Sequence, residues 1–349
     1  MSDVDCNKEM RAFHDEKVTL KKKNQDEMRT RRNSGRTRLA NGLEGRGDPV
    51  PRELVSQGSY AMRTMIQDDA NDYDIDDGAY FREEDLRDEH GNAKTPLAAR
   101  EMVCEALKLD QRLKLEAEVK KNCVRQEYPE GFHIDVPVYR VTKSEDENGQ
   151  FEEVLELASG TQWSESDARA VTKWFNDRVG ELNAGDEDGS QLRRVTKLTK
   201  KLSKSRDDWK DRTTSGICIT KLVYDHFVGV DKRDDKSLRE TWRSINEALS
   251  ESTQIQHPVL DNILLAGYFD PEVTFFRNCL GDSLEILRAL DDDDCGRKKA
   301  RETWDRVFDT SYFSNQPDNG GDSEGKKSGT AALISGGTAR RHDGGGRFG

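Results

Sequence analysis

Three short stretches carry residue types suited to phosphoryl chemistry. DYDIDDGAYF (72–81) packs four carboxylates, Asp72, Asp74, Asp76 and Asp77, into six residues. Asp74 and Asp76 are two apart, so on a strand both project from one face. FHIDVPVYRVT (132–142) carries Asp135 on the face opposite Ile134, Val136 and Val138. Upstream, Gln57-Gly58-Ser59-Tyr60 offers a glycine for close backbone approach, a hydroxyl, and amide N–H groups at the start of a helical turn. Two unit charges in contact repel by roughly 1 to 4 kcal/mol at the dielectrics usual near a surface. If the two Asp-bearing strands are neighbours, hard divalent cations with oxygen ligands offset that repulsion. A pair of such ions clamps the attacking and leaving oxygens of an in-line phosphoryl displacement. The metal expected is Mg²⁺, two ions, with Mn²⁺ as the alternative. Asp72 and Asp77 fall outside the alternation or at its edge and are expected to be solvated or turn-forming.

A basic stretch complements the acidic one. Residues 67–90 hold eleven acidic and two basic side chains, whereas 191–212 hold nine basic and three acidic ones. Val195, Leu198 and Leu202 give the basic segment an amphipathic helical spacing, so its lysines would neutralise polyphosphate charge on a core helix.

The elements that must position these groups follow from the pattern. Residues 7–32 read as a polar helix, and 33–49, with its four glycines, as a loop or link. A strand with an internal turn is expected at 74–81. A helix is expected over 95–121, with Thr95 capping before Pro96. CVRQEY, FHIDVPVYRVT and FEEVLELAS alternate as strands. From Ser164 onward the pattern is helical. The expected fold is α+β: a mixed-sheet N-lobe at 50–162, preceded by a helix and linker at 1–49, and a helical C-lobe at 163–316 that offers a packing surface for residues 1–32. From Pro317 the chain is Gly-rich, with ten glycines in the last 32 residues, and is expected to be disordered.

Composition narrows the classes. The formal net charge of −12 argues against broad nucleic-acid binding, so no stable nucleic-acid partner is expected. No run approaches the ~20 apolar residues of a membrane helix, and the N-terminus lacks a secretory h-region, so a cytoplasmic protein is expected. Six scattered cysteines without ligand spacing read as reduced thiols. His133, beside the third Asp, reads as a packing or surface residue rather than as a base. GGDSEGKKS (320–328) has Lys327 where a phosphate-binding loop needs Ser or Thr, and no strand precedes it.

The Gly-Ser turn, the Asp-x-Asp strand and the later Asp follow the pattern of the polymerase-beta-like nucleotidyltransferase superfamily. With QGSYAMRTMI, YDIDDGAYF, FHIDVPVYRV and the helical run ending KKLSKSRDDWKDRTTSGICITKLVYDHF, the chain more closely resembles the bacterial cGAS/DncV-like nucleotidyltransferases (CD-NTases) of the DncV-like branch. That resemblance implies an enzyme making a cyclic dinucleotide or oligonucleotide messenger from NTPs in anti-phage (CBASS) defence. ATP and GTP would be the substrates, 3′,3′-cyclic GMP-AMP the product, and a downstream effector its sensor. It implies that Asp74, Asp76 and Asp135 bind the metals, with Asp135 helping to activate the attacking hydroxyl. Gln57, Gly58 and Ser59 would hold the donor triphosphate and Tyr60 would stack on a base or pack in the core. Lys201 and Ser215 would contact phosphate, with Lys200 or Lys204 as alternatives to Lys201. Some relatives end in a flexible tail that an E1/E2-like accessory protein conjugates, which Gly349 would permit with Phe348 as anchor. The rivals are an enzyme that modifies a protein or RNA, and an inactive scaffold or conjugation substrate.

Overall fold

The computed structural model describes residues 4–67, 73–110, 113–145, 149–182 and 190–317. Residues 1–315 form one compact unit; of 316–349, only Gln316 and Pro317 are described, so the expected conjugation site Gly349 lies outside the described residues.

The chain opens with α1 (Asn7–Phe13) and a π turn over His14–Val18, followed by α2 (Lys22–Arg46). Next come β1 (Glu53–Gln57), the one-turn helix α3 (Gly58–Met62) and β2 (Asp74–Arg82). Helix α4 (Pro96–Lys108) starts at Thr95, whose hydroxyl accepts from Ala98 N, with Pro96 in the first turn where its missing N–H costs nothing. Strands β3 (Glu118–Val119), β4 (Val124–Glu127), β5 (His133–Val136), β6 (Val138–Glu145), β7 (Phe151–Ser159) and β8 (Gln162–Glu165) complete an eight-stranded mixed sheet. The rest is mostly helical: α5 (Ala168–Leu182), α6 (Gln191–Ser203), α7 (Gly216–His226), α8 (Asp234–Glu251), the small hairpin β9 (Ile255–Gln256) and β10 (Leu264–Ala266), α9 (Pro271–Leu287) and α10 (Arg297–Phe308).

Two main cores result. One sheet face buries Ile75, Phe81, Ile134, Val136 and Val138 against Leu39 and Leu43 of α2 and Val103 and Leu107 of α4. The other core is helical and centres on Trp242, Trp304, Phe308 and Phe313. Phe13 of α1 joins it, 4.9 Å ring to ring from both Phe308 and Phe313, so the N-terminal helix packs with the C-terminal elements.

The structure corrects several sequence expectations. Residues 33–46 are not a link: α2 continues through them and ends at the left-handed Gly47. Here tertiary packing overrides glycine's weak helix propensity. At Gly42 the helices touch so closely that a Cβ would lie 2.1 Å from the carbonyl oxygen of Ala106. Nor is 7–32 one helix; it breaks between the π turn and Lys22. β2 runs through Gly78 without a turn, and a Cβ there would meet Gln57 Oε1 at 2.8 Å and the Tyr80 ring at 2.9 Å. Helix α4 stops at Lys108 rather than 121. The helix expected from Ser164 begins at Ala168, with the Asp167 carboxylate accepting from Ala170 N, because 162–165 pair as β8.

Candidate functional site

Strand β2 is the spine of the site. β5 and then β6 pair parallel to it, with Asp74 opposite His133, Asp76 opposite Asp135, and Ala79 opposite Val138. One register holds throughout; only Pro137, which cannot donate, interrupts the ladder, and its carbonyl accepts from Ala79 N at 2.8 Å. Register partners share a sheet face. Asp74, Asp76 and Asp135 therefore stand side by side on the face turned away from the Ile75–Ile134 core.

The fourth carboxylate of the stretch has a different fate. Asp77 points to the opposite face, is 3% exposed, and accepts from Arg36 of α2 at 2.7 and 2.5 Å and from the Ser56 hydroxyl at 2.9 Å. It is a buried anchor between α2 and the sheet, not a solvated turn residue. Asp72 lies outside the described residues.

Chain reversal from β1 into α3 delivers the Gly-Ser turn to the same carboxylates. Gly58 is left-handed (φ 65°), and a Cβ on it would come 2.4 Å from Asp76 Oδ2. Only glycine meets both conditions without strain. Gln57 is buried, with its amide committed to two stacked tyrosines: it donates to Tyr139 Oη at 3.0 Å and accepts from Tyr80 Oη at 3.1 Å.

The carboxylates and the Gly-Ser turn open on a cavity of about 770 Å³. Its far wall is helical. Lys200 and Lys204 from the end of α6, and Thr214, Ser215 and Gly216 at the start of α7, all line it. Ser215 caps α7, accepting from Cys218 N at 3.4 Å, so the positive end of that helix dipole faces the space. Lys200 is buried and donates to Thr64 Oγ1 at 3.2 Å. Burial lowers its pKa to about 8, with the nearby Asp74 charge opposing the shift.

The electrostatics of the carboxylates are strained. Burial, then Asp74, then Asp135, push Asp76 up to about 7. Asp135 is buried, and Arg125 of β4 donates to both its oxygens at 2.8 Å. His133 Nε2 lies 3.8 Å from Asp135 Oδ2. As placed, no three metal-ligating side chains among the described residues stand close enough to hold an ion. The expected metal triad thus shares one face without converging, and Asp135 is turned onto Arg125.

Other expected residues are placed as follows. Gln57, Gly58, Ser59 and Ser215 line the cavity. Lys201 does not, and Lys200 and Lys204, one and three positions away on the helix, do. Tyr60 does not line it; its ring lies under Arg32, 5.5 Å from the guanidinium carbon, and borders a separate cavity. Three contributors, Arg125, His257 and Leu265, escaped the sequence reading. Arg125 sits in an alternating strand, but its partnership with Asp135 depends on a β4–β5 pairing that spacing does not disclose. His257 and Leu265 reach the cavity from the β9–β10 hairpin, whose strands are too short to register in the pattern.

Residues 52–139 match the family model described as "Cyclic GMP-AMP synthase DncV-like, nucleotidyltransferase domain". A curated relative, the cyclic GMP-AMP synthase of Escherichia albertii, is 24% identical over 223 residues, 62% of this chain. The match spans 46%, about half, of that relative's length. Among solved structures, Vibrio cholerae DncV cyclic AMP-GMP synthase with nonhydrolyzable GTP superposes with a TM-score of 0.68 at 16% identity, covering 89% of this chain and 97% of the other. CdnC of E. coli MS115-1 with ATP gives 0.64 at 16% identity, covering 88% and 99%. The fold is the α+β nucleotidyltransferase fold. No helix among the described residues is long and apolar enough to cross a membrane.

Proposed function

We propose that this chain, which carries a DncV-like nucleotidyltransferase domain over residues 52–139, joins NTPs through phosphodiester bonds, releases pyrophosphate and closes the ring in the same cavity. The observation that carries this reading is the register that sets Asp76 beside Asp135, within reach of the Gly58 turn and across one cavity from Lys200 and Ser215. A cyclic dinucleotide is the product class, and cyclic GMP-AMP, the product named for the relatives, is its first candidate. A role in anti-phage defence belongs to the same proposal. All six cysteines are buried and none forms a disulfide among the described residues, which suits a reducing cytosol.

The donor set suits Mg²⁺ by its chemistry, three carboxylates on one face supplying hard oxygen ligands whose mutual repulsion a divalent cation offsets, although as placed Asp135 is held by Arg125 and the three do not converge. Bound there, metal would neutralise charge on the reacting phosphates and polarise the attacking hydroxyl. Asp74 and Asp76 would hold it, and Asp135 would join them and orient the attacking ribose hydroxyl. The Gly58-Ser59 turn brings backbone N–H groups and a hydroxyl to the donor triphosphate without a side chain in the way. Lys200 supplies the positive charge opposite, and Ser215 with the α7 N-terminus accommodates the terminal phosphate. Catalysis of this kind rests on positioning and preorganised charge.

The test is direct. Pure protein incubated with the four NTPs and Mg²⁺ should yield a cyclic product by mass spectrometry. EDTA should abolish it, and Asp76→Asn should lower it by about 10²-fold or more, the scale set by losing a metal or charge contact made in the transition state. Nucleotide label on a protein or RNA, with no small cyclic product, would favour the macromolecule-modifying reading. NTPs left intact with no transferred label would sink the cyclase reading for the isolated chain.

A further inference from the structure

Three carboxylates crowd one face of the sheet, yet one guanidinium takes both oxygens of one of them. Arg125 and Asp135 are directly opposed across antiparallel β4 and β5, and both bonds measure 2.8 Å. This two-pronged geometry is the strong form of a carboxylate contact. It also occupies the lone pairs that a divalent cation would use. Exposure is unequal: the Asp135 side chain is 10% exposed and that of Arg125 31%. Asp135 stripped of Arg125 would be a buried charge beside Asp76, and a second cation must replace the first. Arg125, partly in water, gives up little hydration on entering the pair and regains it on leaving.

We infer that Arg125 is an internal counter-ion for Asp135, and that a divalent cation enters the site by exchange with it. Arg125 is thus a positioning residue. It holds Asp135 folded and neutralised in the metal-free protein, and sets how tightly metal must bind to engage the third carboxylate. This rests on the assignment of Asp74, Asp76 and Asp135 as the metal-binding set, and it adds a competing ligand within the protein itself.

The experiment measures metal, not turnover. Nucleotide-free protein is titrated with Mn²⁺ and the free ion is read by electron paramagnetic resonance. Arg125→Gln removes the charge, whereas Arg125→Lys keeps it but lacks the fork needed to hold both oxygens. Both variants should bind Mn²⁺ more tightly than wild type, Arg125→Gln by about tenfold and Arg125→Lys by several-fold, the range expected when a bidentate, partly exposed pair is loosened. On an Asp135→Asn background the same substitutions should change affinity by less than about twofold, because without the Asp135 carboxylate there is no ion pair for the cation to displace. If Arg125→Lys binds like wild type while Arg125→Gln binds more tightly, a simple field effect replaces the exchange and the inference is overturned. Unchanged affinity in both variants, an equal gain on the Asp135→Asn background, or no Mn²⁺ binding by any of the proteins overturns it as well. A circular-dichroism melt confirms that each variant is folded at the titration temperature. The expected Mn²⁺ pattern without cyclic product from NTPs would leave the exchange standing and sink only the cyclase reading.

Discussion

At the scale of residues, two positions carry sharp consequences. Lys200 has its pKa lowered from 10.5 to about 8, chiefly by burial. On the proposed function its charged form is the one that would meet phosphate, so the affinity for a nonhydrolysable NTP should fall as pH rises through about 8. Lys200→Arg, which stays protonated, should flatten that limb; an unchanged limb in the variant would remove Lys200 from the phosphate site. Stability must move the other way. Between about pH 8 and 10.5 the unfolded chain holds the proton and the folded chain does not, so this lysine adds stability as pH rises through that window. The opposed signs let one pH series of binding and melting separate the two effects. Gly58 is the second position. Gly58→Ala puts a methyl against Asp76 Oδ2 and forces a left-handed alanine. Product formation should drop by about 10²-fold for a stability cost of about 1 to 2 kcal/mol, read by product yield beside a denaturant melt. Activity near wild type would mean the turn can retreat from Asp76 at no cost.

At the scale of elements, α2 is held to the sheet by contacts its own composition does not advertise. Leu39 and Leu43 are buried, Gly42 lies against the Ala106 backbone, and Arg36 reaches Asp77 on the sheet face that α2 covers. Gly42→Val should therefore push α2 off α4 and lower stability by about 2 to 4 kcal/mol, the scale of overpacking against backbone that cannot yield. A chemical denaturation curve measures it, and a loss under about 0.5 kcal/mol would show the two helices separate freely. Arg36 and Asp77 also explain why a carboxylate adjoining Asp76 adds nothing to the face that carries Asp74, Asp76 and Asp135. Successive strand residues point to opposite faces, and α2 covers the far one.

At the scale of the whole molecule, the N-terminal segment closes the helical core. Glu9 is 4% exposed and accepts from Arg297 at 2.5 Å and from Arg301 at 2.8 Å, both on α10. Glu9→Leu removes the buried carboxylate to which both Arg297 and Arg301 donate, so unfolding should cost about 3 to 5 kcal/mol less. The cavity lies far from this contact in sequence and uses none of its residues, so turnover per folded molecule at low temperature should stay within about twofold of wild type. A larger loss of turnover would show that α1 also supports the α6–α7 wall.

Much of the site was legible from order and alternation alone. A period of two sets Asp74 with Asp76 and excludes Asp77 from their face, and Ile134 and Val136 set Asp135 on the polar side of its strand, because the pleat converts spacing directly into direction. The amphipathic spacing of Val195, Leu198 and Leu202 marked a core helix bearing lysines. Spacing could not choose among Lys200, Lys201 and Lys204, since a helix turns about 100° per residue and only the partner surface decides which direction is inward. Nor could it show that glycines at 35, 42 and 45 lie inside a helix, because that helix exists through its contact with α4 rather than through propensity. The pairing of β4 with β5, and with it the Arg125 clamp on Asp135, belongs to the same class. Side-chain types and their facing are written in the chain locally, whereas which strand lies beside which is a long-range choice made by the packed core, and it alone brought a guanidinium to the third carboxylate.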